Sequence, residues 1–514
     1  MRIFITNDCN PWQPYTAPSP EEGGDAMIEQ RRWILIAAIF LGSFVVMLDV
    51  SIVNVALPTI EHSLKSDIAG LQWVVSAYTL CLSAFLLTAG ALGDRYGRRR
   101  VWTLGLATFI IGSAICSFAA DMPALIGGRV VQGIGGALLI PGPLSILSRA
   151  FPDREQRAHV IGAWSSFSGI SLITGPLIGG FLIAHFGWHS IFLINLPVGL
   201  ITLILGIISI PESADPAHTS LDPVGQVLSV LGLAGLSYGL IRGGDIGWSD
   251  PVTLGLLGGA LLLFGVFIAA ERRIEAPMLP IELFRISAFR ACIFGSFVIG
   301  FAAFSSPFFL SLYFQQVQGL SVAETGLRLT PQFAALALVS SISGRLVARI
   351  GAWRNLFVGF LGMTLSLGAM IFWSVDLDFV MTLPWLLLLG AGMGMTVPTT
   401  STLAMSAAPP TRTGTASATI NVARQAGLSV GIALIGAIMS TAAIQALAAQ
   451  IGSAVQAANL VKAPSATTAI SQAALFDLRL RPEALLTGFH WAAGTACIAA
   501  AAVALFIPLR ARRS

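Results

Sequence analysis

Charged residues are scarce in this chain. Lys, Arg, Asp and Glu together make up 11% of its 514 residues, whereas a soluble globular protein has about 25%. A soluble fold of this size needs charge to cover its surface, so the shortage excludes that class of protein. The formal net charge of +4 is modest, and we expect no nucleic-acid partner.

Cysteines are few and follow no metal-binding pattern. The chain has five of them, with neither a CxxC pair nor another metal-ligand spacing. Four lie inside apolar runs, at Cys81, Cys116, Cys292 and Cys497, and Cys9 stands alone. We predict small buried apolar side chains rather than disulfides, and we expect neither a metal nor a cofactor. The sequence has no P-loop, which excludes direct drive by ATP.

Two local patterns resemble catalytic or metal sites, and both are rejected. Gly235-Leu-Ser-Tyr-Gly239 matches GxSxG, but a nucleophile elbow needs a strand-to-helix turn, and this segment lies inside an apolar run. His185 and His189 are four residues apart, but Gly187 interrupts the helix between them and no third ligand is near. We therefore expect the protein not to be an enzyme.

The N-terminus lacks the features of a secretory signal. Residues 1–26 are Pro-rich, polar and acidic, without a basic stretch followed by an apolar one or a small-residue cleavage site. We predict a disordered cytoplasmic tail over residues 1–32. Met1 and Met27 both remain candidates for the natural start.

Long apolar runs dominate the rest of the chain. A membrane-spanning helix needs roughly 20 apolar residues, and only such helices or closed barrels satisfy their backbone in lipid. Barrel strands would alternate over about ten residues, whereas these runs are continuously apolar. We therefore predict an all-α integral membrane protein with fourteen spans. They cover residues 33–57, 71–92, 101–119, 123–147, 160–183, 190–210, 223–242, 251–270, 291–314, 322–346, 355–374, 382–406, 414–443 and 486–508.

The distribution of basic residues predicts the orientation. With fourteen spans, twenty Lys and Arg residues fall on one side of the membrane and six on the other. Because cytoplasmic loops carry the excess of basic residues, both termini are predicted to be cytoplasmic, in a multi-pass protein of the plasma or inner membrane.

An internal repeat suggests two similar halves. Gly90–Arg100 at the end of span 2 and Ser343–Gly351 at the end of span 10 both place a basic turn after a small-residue helix end. Transporters that work by alternating access are built from such repeats. We predict the following domains: a tail over 1–32, a six-helix bundle over 33–210, two additional helices with their loops over 211–290, a second six-helix bundle over 291–508 with a long, partly helical outer loop at about 444–485, and a cytoplasmic tail over 509–514.

Four motifs in order carry a family resemblance. They are Leu48-Asp-Val-Ser-Ile-Val-Asn-Val-Ala-Leu-Pro58 in span 1, Gly90–Arg99 after span 2, Arg129-Val-Val-Gln-Gly-Ile-Gly-Gly136 in span 4 and Gly175-Pro-Leu-Ile-Gly-Gly180 in span 5. Together they resemble the motifs of the 14-helix drug/proton antiporters of the major facilitator superfamily. The resemblance runs from about residue 33 to 508 and implies a multidrug resistance exporter.

Asp49 is the first candidate for proton coupling. A carboxylate well inside a span is costly and usually faces the bundle interior or marks a proton path. It is the one acidic residue that we place clearly inside a span. The resemblance implies that Arg129 takes part in coupling, because its charge would act on a nearby carboxylate. Structural roles remain open for both residues, including a hydrogen bond from Asn54 to Asp49.

Asp94 lies within a basic turn at the predicted cytoplasmic face, with Arg95, Gly97 and Arg98. The arginines are expected there from topology alone. The preference for basic residues on the cytoplasmic side does not explain an acidic residue there, so we predict that Asp94 belongs to a conformational latch. Its carboxylate would meet the positive end of a helix in the other half.

Small residues in span 5 predict a close helix contact. Gly175 and Gly179 share one helix face, and Gly180 follows them, which allows close approach in lipid, while Pro176 bends the helix. By resemblance this is the motif associated with antiporters, and we place the rocking contact of the two halves here.

Several polar residues are candidates for the cavity and the substrate. Asn421, Arg424 and Gln425 form a polar stripe in span 13, since positions i, i+3 and i+4 share a face. Asn54 and Gln132 are the corresponding candidates in the first half. Whether any of these five residues contacts substrate stays open.

The sequence as a whole predicts a proton-coupled exporter of hydrophobic or amphipathic compounds. The partners expected are a small-molecule substrate, protons and the lipid bilayer, and an outer accessory protein is left open. With a single acid inside the spans, strongly dicationic drugs are expected to be poor cargo. The alternatives are a metabolite uniporter or symporter on the same fold and a non-transporting membrane receptor.

Overall fold

The computed structural model describes residues 22–214, 222–274, 278–279, 281–409, 412–451 and 472–511. Within these ranges the chain forms helices joined by short turns, without strands. Fourteen long helices, numbered here α1 to α14, correspond one to one with the predicted apolar runs, which confirms the predicted fold class. Their bounds are α1 Glu22–Leu64, α2 Ile68–Tyr96, α3 Arg98–Ser117, α4 Met122–Leu139, α5 Arg154–Phe186, α6 Asn195–Ser209, α7 Pro223–Asp245, α8 Pro251–Glu271, α9 Ser287–Val317, α10 Val322–Ile350, α11 Ala352–Met370, α12 Phe379–Ala407, α13 Thr413–Ile451 and α14 Gln472–Ala511.

Thirteen helices of the described ranges are long and apolar enough to cross a membrane. The fourteenth long helix, α11, has 19 residues and carries the polar pair Arg354 and Asn355 in its first turn. Shorter helices extend or precede their neighbours: Gly142–Ala150 continues α4, and Ser190–Leu193 precedes α6. The chain is therefore a multi-pass membrane protein.

Many of the acidic residues begin helices. Five helices have an N-cap aspartate whose carboxylate accepts a hydrogen bond from the backbone amide three residues later: Asp67, Asp121, Asp153, Asp222 and Asp250. Asp250 lies outside the spans, and its pKa is below the ordinary value because its carboxylate accepts hydrogen bonds from the Thr253 backbone and from Arg242. These aspartates satisfy helix ends rather than line the bundle interior.

The helices form two halves with an extra pair beside them. Helices α1 to α6 pack together, as do α9 to α14, while α7 packs against α2 and α13, and α8 packs against α7. The halves meet mainly through two helix pairs, α5 with α10 and α2 with α13, and α1 also contacts α9. This is the arrangement predicted from the repeat, with the additional helices outside the two bundles.

The two faces of the molecule differ in how the halves contact each other. We call the face with the α1–α2, α5–α6 and α9–α10 connections the distal face, and the opposite one, where α1 begins and α14 ends, the terminal face. Near the distal face Gly326 of α10 packs against the backbone of Pro176 of α5. Toward the terminal face a Cβ atom on Gly162 of α5 or Gly344 of α10 would meet nothing within 4 Å. The contact between the halves is therefore tightest at the distal face.

Helix α9 is not a regular α-helix. It contains two π-helical segments, Ile299–Phe304 and Tyr313–Val317, on either side of the α-helical turn Ser306–Leu312. A π turn bonds residues five apart instead of four and occurs mostly at functional sites. The apolar run 291–314 predicted one uniform span here.

The ends of two predicted segments differ from the structure. Helix α1 begins at Glu22, inside the predicted tail 1–32, and residues 1–21 lie outside the described part. The predicted outer loop at about 444–485 is partly helical, as expected, because α13 continues to Ile451 and α14 begins at Gln472. Residues 452–471 between them lie outside the described ranges.

Candidate functional site

Asp49 lies in α1 within the core of the first half. Its side chain is 0% exposed, and its Oδ2 atom is 2.6 Å from Nη1 of Arg129 on α4. The structure thus brings together the two residues predicted for proton coupling. A buried carboxylate needs such a partner, because taking a charge out of water is costly unless it is paired and hydrogen-bonded.

Arg129 is 1% exposed and has further partners besides Asp49. Its Nε donates to the Val74 carbonyl oxygen of α2 at 3.0 Å, and its guanidinium carbon lies 4.2 Å from the centre of the Tyr78 ring. A backbone carbonyl and an aromatic face are both favourable neighbours for a cation. The guanidinium therefore joins α1, α2 and α4.

Gln132 completes the cluster, although it was predicted only as a possible cavity residue. Its side-chain oxygen accepts from Arg129 at 2.8 Å, and its nitrogen donates to Asp49 at 3.2 Å and to Ser113 of α3 at 2.8 Å. One amide thus hydrogen-bonds to both members of the ion pair and to Ser113, so it connects the ion pair to α3. Asn195 of α6 adds a long contact of 3.4 Å to the same serine.

The glycines of the Arg129–Gly136 motif explain how these helices come so close. A Cβ atom on Gly133 would lie 2.8 Å from Cβ of Cys81 on α2, and one on Gly135 would lie 2.9 Å from Cα of Phe109 on α3. Both distances are shorter than real side chains allow, so larger residues would push the helices apart. The motif thus sets the depth at which Arg129 reaches Asp49.

A small cavity lies between this cluster and the second half. Its volume is about 10 Å³, and it is lined on one side by Asn54, Tyr78 and Arg129 and on the other by Phe304 and Leu428. A cavity of that size is at the lower limit for one water molecule. Asn54 lies at this cavity, as expected, but donates to the Val50 carbonyl at 2.9 Å rather than to Asp49.

A second acidic residue lies buried in α1, so Asp49 is not the sole acid within a span. Glu61 is 1% exposed, and Gln316 of α9 donates a hydrogen bond to its carboxylate. The predicted span stopped at residue 57, whereas α1 continues through Pro58 to Leu64. Glu61 therefore belongs to the contact between the halves at the distal face.

The glycine motif of α5 packs on both halves. A Cβ atom on Gly179 would lie 2.7 Å from Cγ1 of Ile52 on α1, and one on Gly180 would lie 2.9 Å from Cα of Ala323 on α10. Gly175 packs against Ser51 and Ile52, and Pro176 lies inside the helix. Helices approach each other closely here, and the approach includes a contact between the two halves.

The candidate latch lies at the terminal face. Asp94 accepts a 2.8 Å salt bridge from Arg98 across Gly97, whose φ of +111° suits glycine. Arg98 also donates its backbone amide to the Ser213 carbonyl at 3.0 Å. These contacts stay within the first half, and among the described residues Asp94 forms no hydrogen bond or ion pair with the second half. Arg95 lies over the ring of its neighbour Tyr96.

The polar stripe of α13, in the second half, lies close to α2 of the first half. Ser83 of α2 donates to the Val422 carbonyl at 3.3 Å, beside Asn421, which donates to Ser417 at 3.0 Å. Arg424 donates to the side-chain oxygen of Asn421. Gln425 is partly buried on the same helix.

Hydrogen bonds from two glutamine side chains, which were not among the predicted site residues, also connect the two halves. Gln72 of α2 donates to the carbonyl oxygens of Ile432 and Ala433 on α13 at 3.0 and 2.7 Å. Gln315 of α9 donates to the Val55 carbonyl of α1 at 3.0 Å. Each side chain bonds to backbone atoms of the other half, which no spacing in the sequence reveals.

Comparisons with known proteins agree with this architecture. Residues 39–432 match the Major Facilitator Superfamily. The chain is 35% identical over 413 residues to the multidrug resistance protein Stp of Mycobacterium tuberculosis, covering 80% of this chain and 77% of that protein. It is also 35% identical over 412 residues to the tetracenomycin C resistance and export protein of Streptomyces glaucescens, covering 80% and 76%. Among solved structures, a bacterial homolog of the human lysosomal transporter Spinster, in an inward-facing and unoccupied conformation, superimposes with a TM-score of 0.64 at 18% identity, over 93% of this chain and 97% of that one.

Proposed function

The chain belongs to the major facilitator superfamily, and from that premise we propose that it exports hydrophobic or amphipathic drugs and toxic compounds in exchange for protons. Both termini would be cytoplasmic, in the plasma or inner membrane, so that the terminal face is the cytoplasmic one. Relatives named for multidrug resistance and for export of tetracenomycin C support a drug as cargo. The conformation described, tightest at the distal face, would then be the one that receives cargo from the cytoplasm.

The observation that carries the proton-coupling role is the buried pair of Asp49 and Arg129. It lies beside a cavity that both halves line. A protonated Asp49 would lose its charge, and the guanidinium of Arg129 would then lack its counter-ion in a low-dielectric site. Gln132, the Val74 carbonyl and the Tyr78 ring are neighbours that would still stabilise this cation. Proton binding thus changes the forces among α1, α2, α3 and α4, and three of these helices, α1, α2 and α4, line the cavity on the side of the first half.

Alternating access would use that change as follows. A proton from the distal side loads Asp49 and favours release of cargo there, and its release at the terminal side restores the ion pair and the cargo site. The glycine contact of α5 with α10 is the surface on which the halves would rock. Asp94 would meet the second half only in the opposite conformation, when the terminal face closes.

The decisive experiment is drug accumulation in a pump-deficient host, with and without a protonophore. Wild-type protein should lower accumulation only when the proton gradient is intact, and Asp49→Asn should abolish the effect. The matched control is Asp121→Asn, which removes an exposed carboxylate at a helix start, where Asn caps nearly as well. Export that persists with the protonophore would point to the uniporter alternative. Accumulation that is unchanged by wild-type protein would contradict export altogether.

A further inference from the structure

Arg424 of α13 is a second cation inside a span, partly buried, and its situation differs from that of Arg129. Its Nη2 atom donates to Asn421, a neutral side chain. Its Nη1 atom is buried and has no hydrogen-bond partner among the described residues. No carboxylate of the described ranges forms an ion pair with it, whereas Arg129 is paired with Asp49.

An unpaired guanidinium is costly within a membrane protein. Ionisable side chains inside spans face the bundle interior, pair with other groups and mark substrate or ion pathways. Arg cannot lose its proton at any ordinary pH, so the charge is permanent. Among the described residues the charge thus lacks a counter-ion, which leaves the position open to an anion from outside the chain.

The position of Arg424 indicates which space that anion would enter. Leu428 and Ile432 follow Arg424 by four and eight residues, share its helix face, and line the cavity beside Arg129. Side chains on a helix lean toward its N-terminus, and α13 begins at the terminal face with Thr413. Arg424 thus extends from the cavity toward the side from which cargo would come.

The helix facing this position is held unusually close. A Cβ atom on Gly300 would lie 2.8 Å from the backbone nitrogen of Leu428, and Gly300 also packs on the Arg424 carbonyl. Gly300 belongs to the π-helical segment Ile299–Phe304, whose Phe304 lines the same cavity. An aromatic ring and a fixed cation thus lie on neighbouring helices at one level of the bundle.

We propose that Arg424 binds the acidic group of the cargo, so that the preferred substrates are amphipathic compounds with one carboxylate or sulfonate. Asn421 and Gln425 would supply neutral hydrogen bonds around the anion, and Phe304 and Leu428 would contact the apolar part. The inference rests on the proposed export function and deepens it. It also agrees with the expectation that dications are poor cargo, because the carboxylate of Asp49 is already occupied by Arg129.

The test compares three naphthalene probes that differ in charge: naphthaleneacetate, naphthaleneacetamide and naphthylmethylammonium. Full-length protein in phosphatidylcholine nanodiscs is titrated with each. We expect wild-type protein to bind the acetate about tenfold or more tightly than the amide, the range of one charge-assisted hydrogen bond, and the ammonium most weakly. Arg424→Gln should remove the difference between acetate and amide, and Arg424→Lys should keep part of it.

The matched control is Arg328→Gln. Arg328 is also bonded to a neutral amide, with Gln318 at 2.9 Å, but it lies at the distal end of α10. This variant should keep the full preference for the acetate. Equal affinity of wild-type protein for acetate and amide would overturn the proposal, as would a preference that survives in Arg424→Gln.

Two further arms keep the test decisive. Nanodiscs with an equal part of phosphatidylglycerol show whether an anionic lipid headgroup takes the site, in which case the acetate preference disappears and cargo recognition is refuted. If the Arg424 variants do not fold, the thermal shift of wild-type protein still decides, because the acetate must stabilise it more than the amide does. Binding needs no proton gradient, so failure of export in the accumulation assay is distinguishable from failure of this preference.

Discussion

The side-chain nitrogen of Gln72 on α2 lies 2.7 Å from the carbonyl oxygen of Ala433 on α13, and it donates to the neighbouring Ile432 carbonyl as well. One amide therefore bridges the two halves near the distal face. Its partners are backbone oxygens, so substitution of α13 side chains cannot remove the contact. We expect the bridge to break when the distal side opens.

Replacement of Gln72 should shift the balance between conformations. In Gln72→Ala the closed distal face loses about 1 kcal/mol of net hydrogen-bond free energy, so its population relative to the open form should fall by about fivefold. Spin labels on the exposed residues Lys65 and Asp376, one in each half at the distal face, would report a longer distance. An unchanged distance distribution would show that the bridge does not hold the face closed.

The ion pair of Asp49 and Arg129 should behave as a unit in stability measurements. Removal of one partner from a buried pair costs about 3–5 kcal/mol because the other charge is left uncompensated. Asp49→Asn and Arg129→Gln should each lower the thermal midpoint of the purified protein, and the double variant should be clearly more stable than the sum predicts. Additive losses would indicate that the two groups do not interact.

The glycine contact of α5 offers a matched pair of substitutions. Gly180→Val places a side chain against Ala323 of α10 and should cost the closed distal face about 1–3 kcal/mol, with loss of export. Gly162→Val on the same helix enters open space and should leave export intact. If both variants export equally well, the halves do not rock on this surface.

Asp94 should matter for transport more than for stability. Its salt bridge to Arg98 is partly exposed, so its loss in Asp94→Asn should change stability by less than about 1 kcal/mol. Export should nevertheless fall sharply if Asp94 closes the terminal face in the opposite conformation. Glu282→Gln is the control, because Glu282 forms an exposed ion pair with Arg412 at 2.7 Å and has no proposed role.

Local sequence patterns predicted the helices and much of the cluster. The run 223–242 became α7 because an apolar stretch of that length has no other stable form in lipid. Asp49 and Arg129 stood out because ionisable groups inside apolar runs are expensive. Their pairing was not visible, since it depends on how α1 and α4 pack.

Other features depended on tertiary contacts. Glu61 lies beyond the predicted end of span 1 at residue 57. Helix α1 nevertheless continues to Leu64, and Gln316 of the other half donates a hydrogen bond to the Glu61 carboxylate. The polar stripe of α13 was predicted from its spacing. That Arg424 lacks an ion-pair partner among the described residues depends on the tertiary structure, which places the carboxylates elsewhere. The latch contact depends on a conformation other than the one described.

The π-helical segments of α9 have a consequence for how that helix can be altered. Each π turn accommodates roughly one extra residue compared with an α turn, and one residue corresponds to a rotation of about 100° around the helix axis. If the segment Ile299–Phe304 closed as a regular α-helix at its full length, the side chains that follow it as far as Tyr313 would turn to a new face. The helix thus has two registers available without breaking its backbone. A one-residue deletion within the π turn would instead leave the following side chains on their present faces and remove the second register.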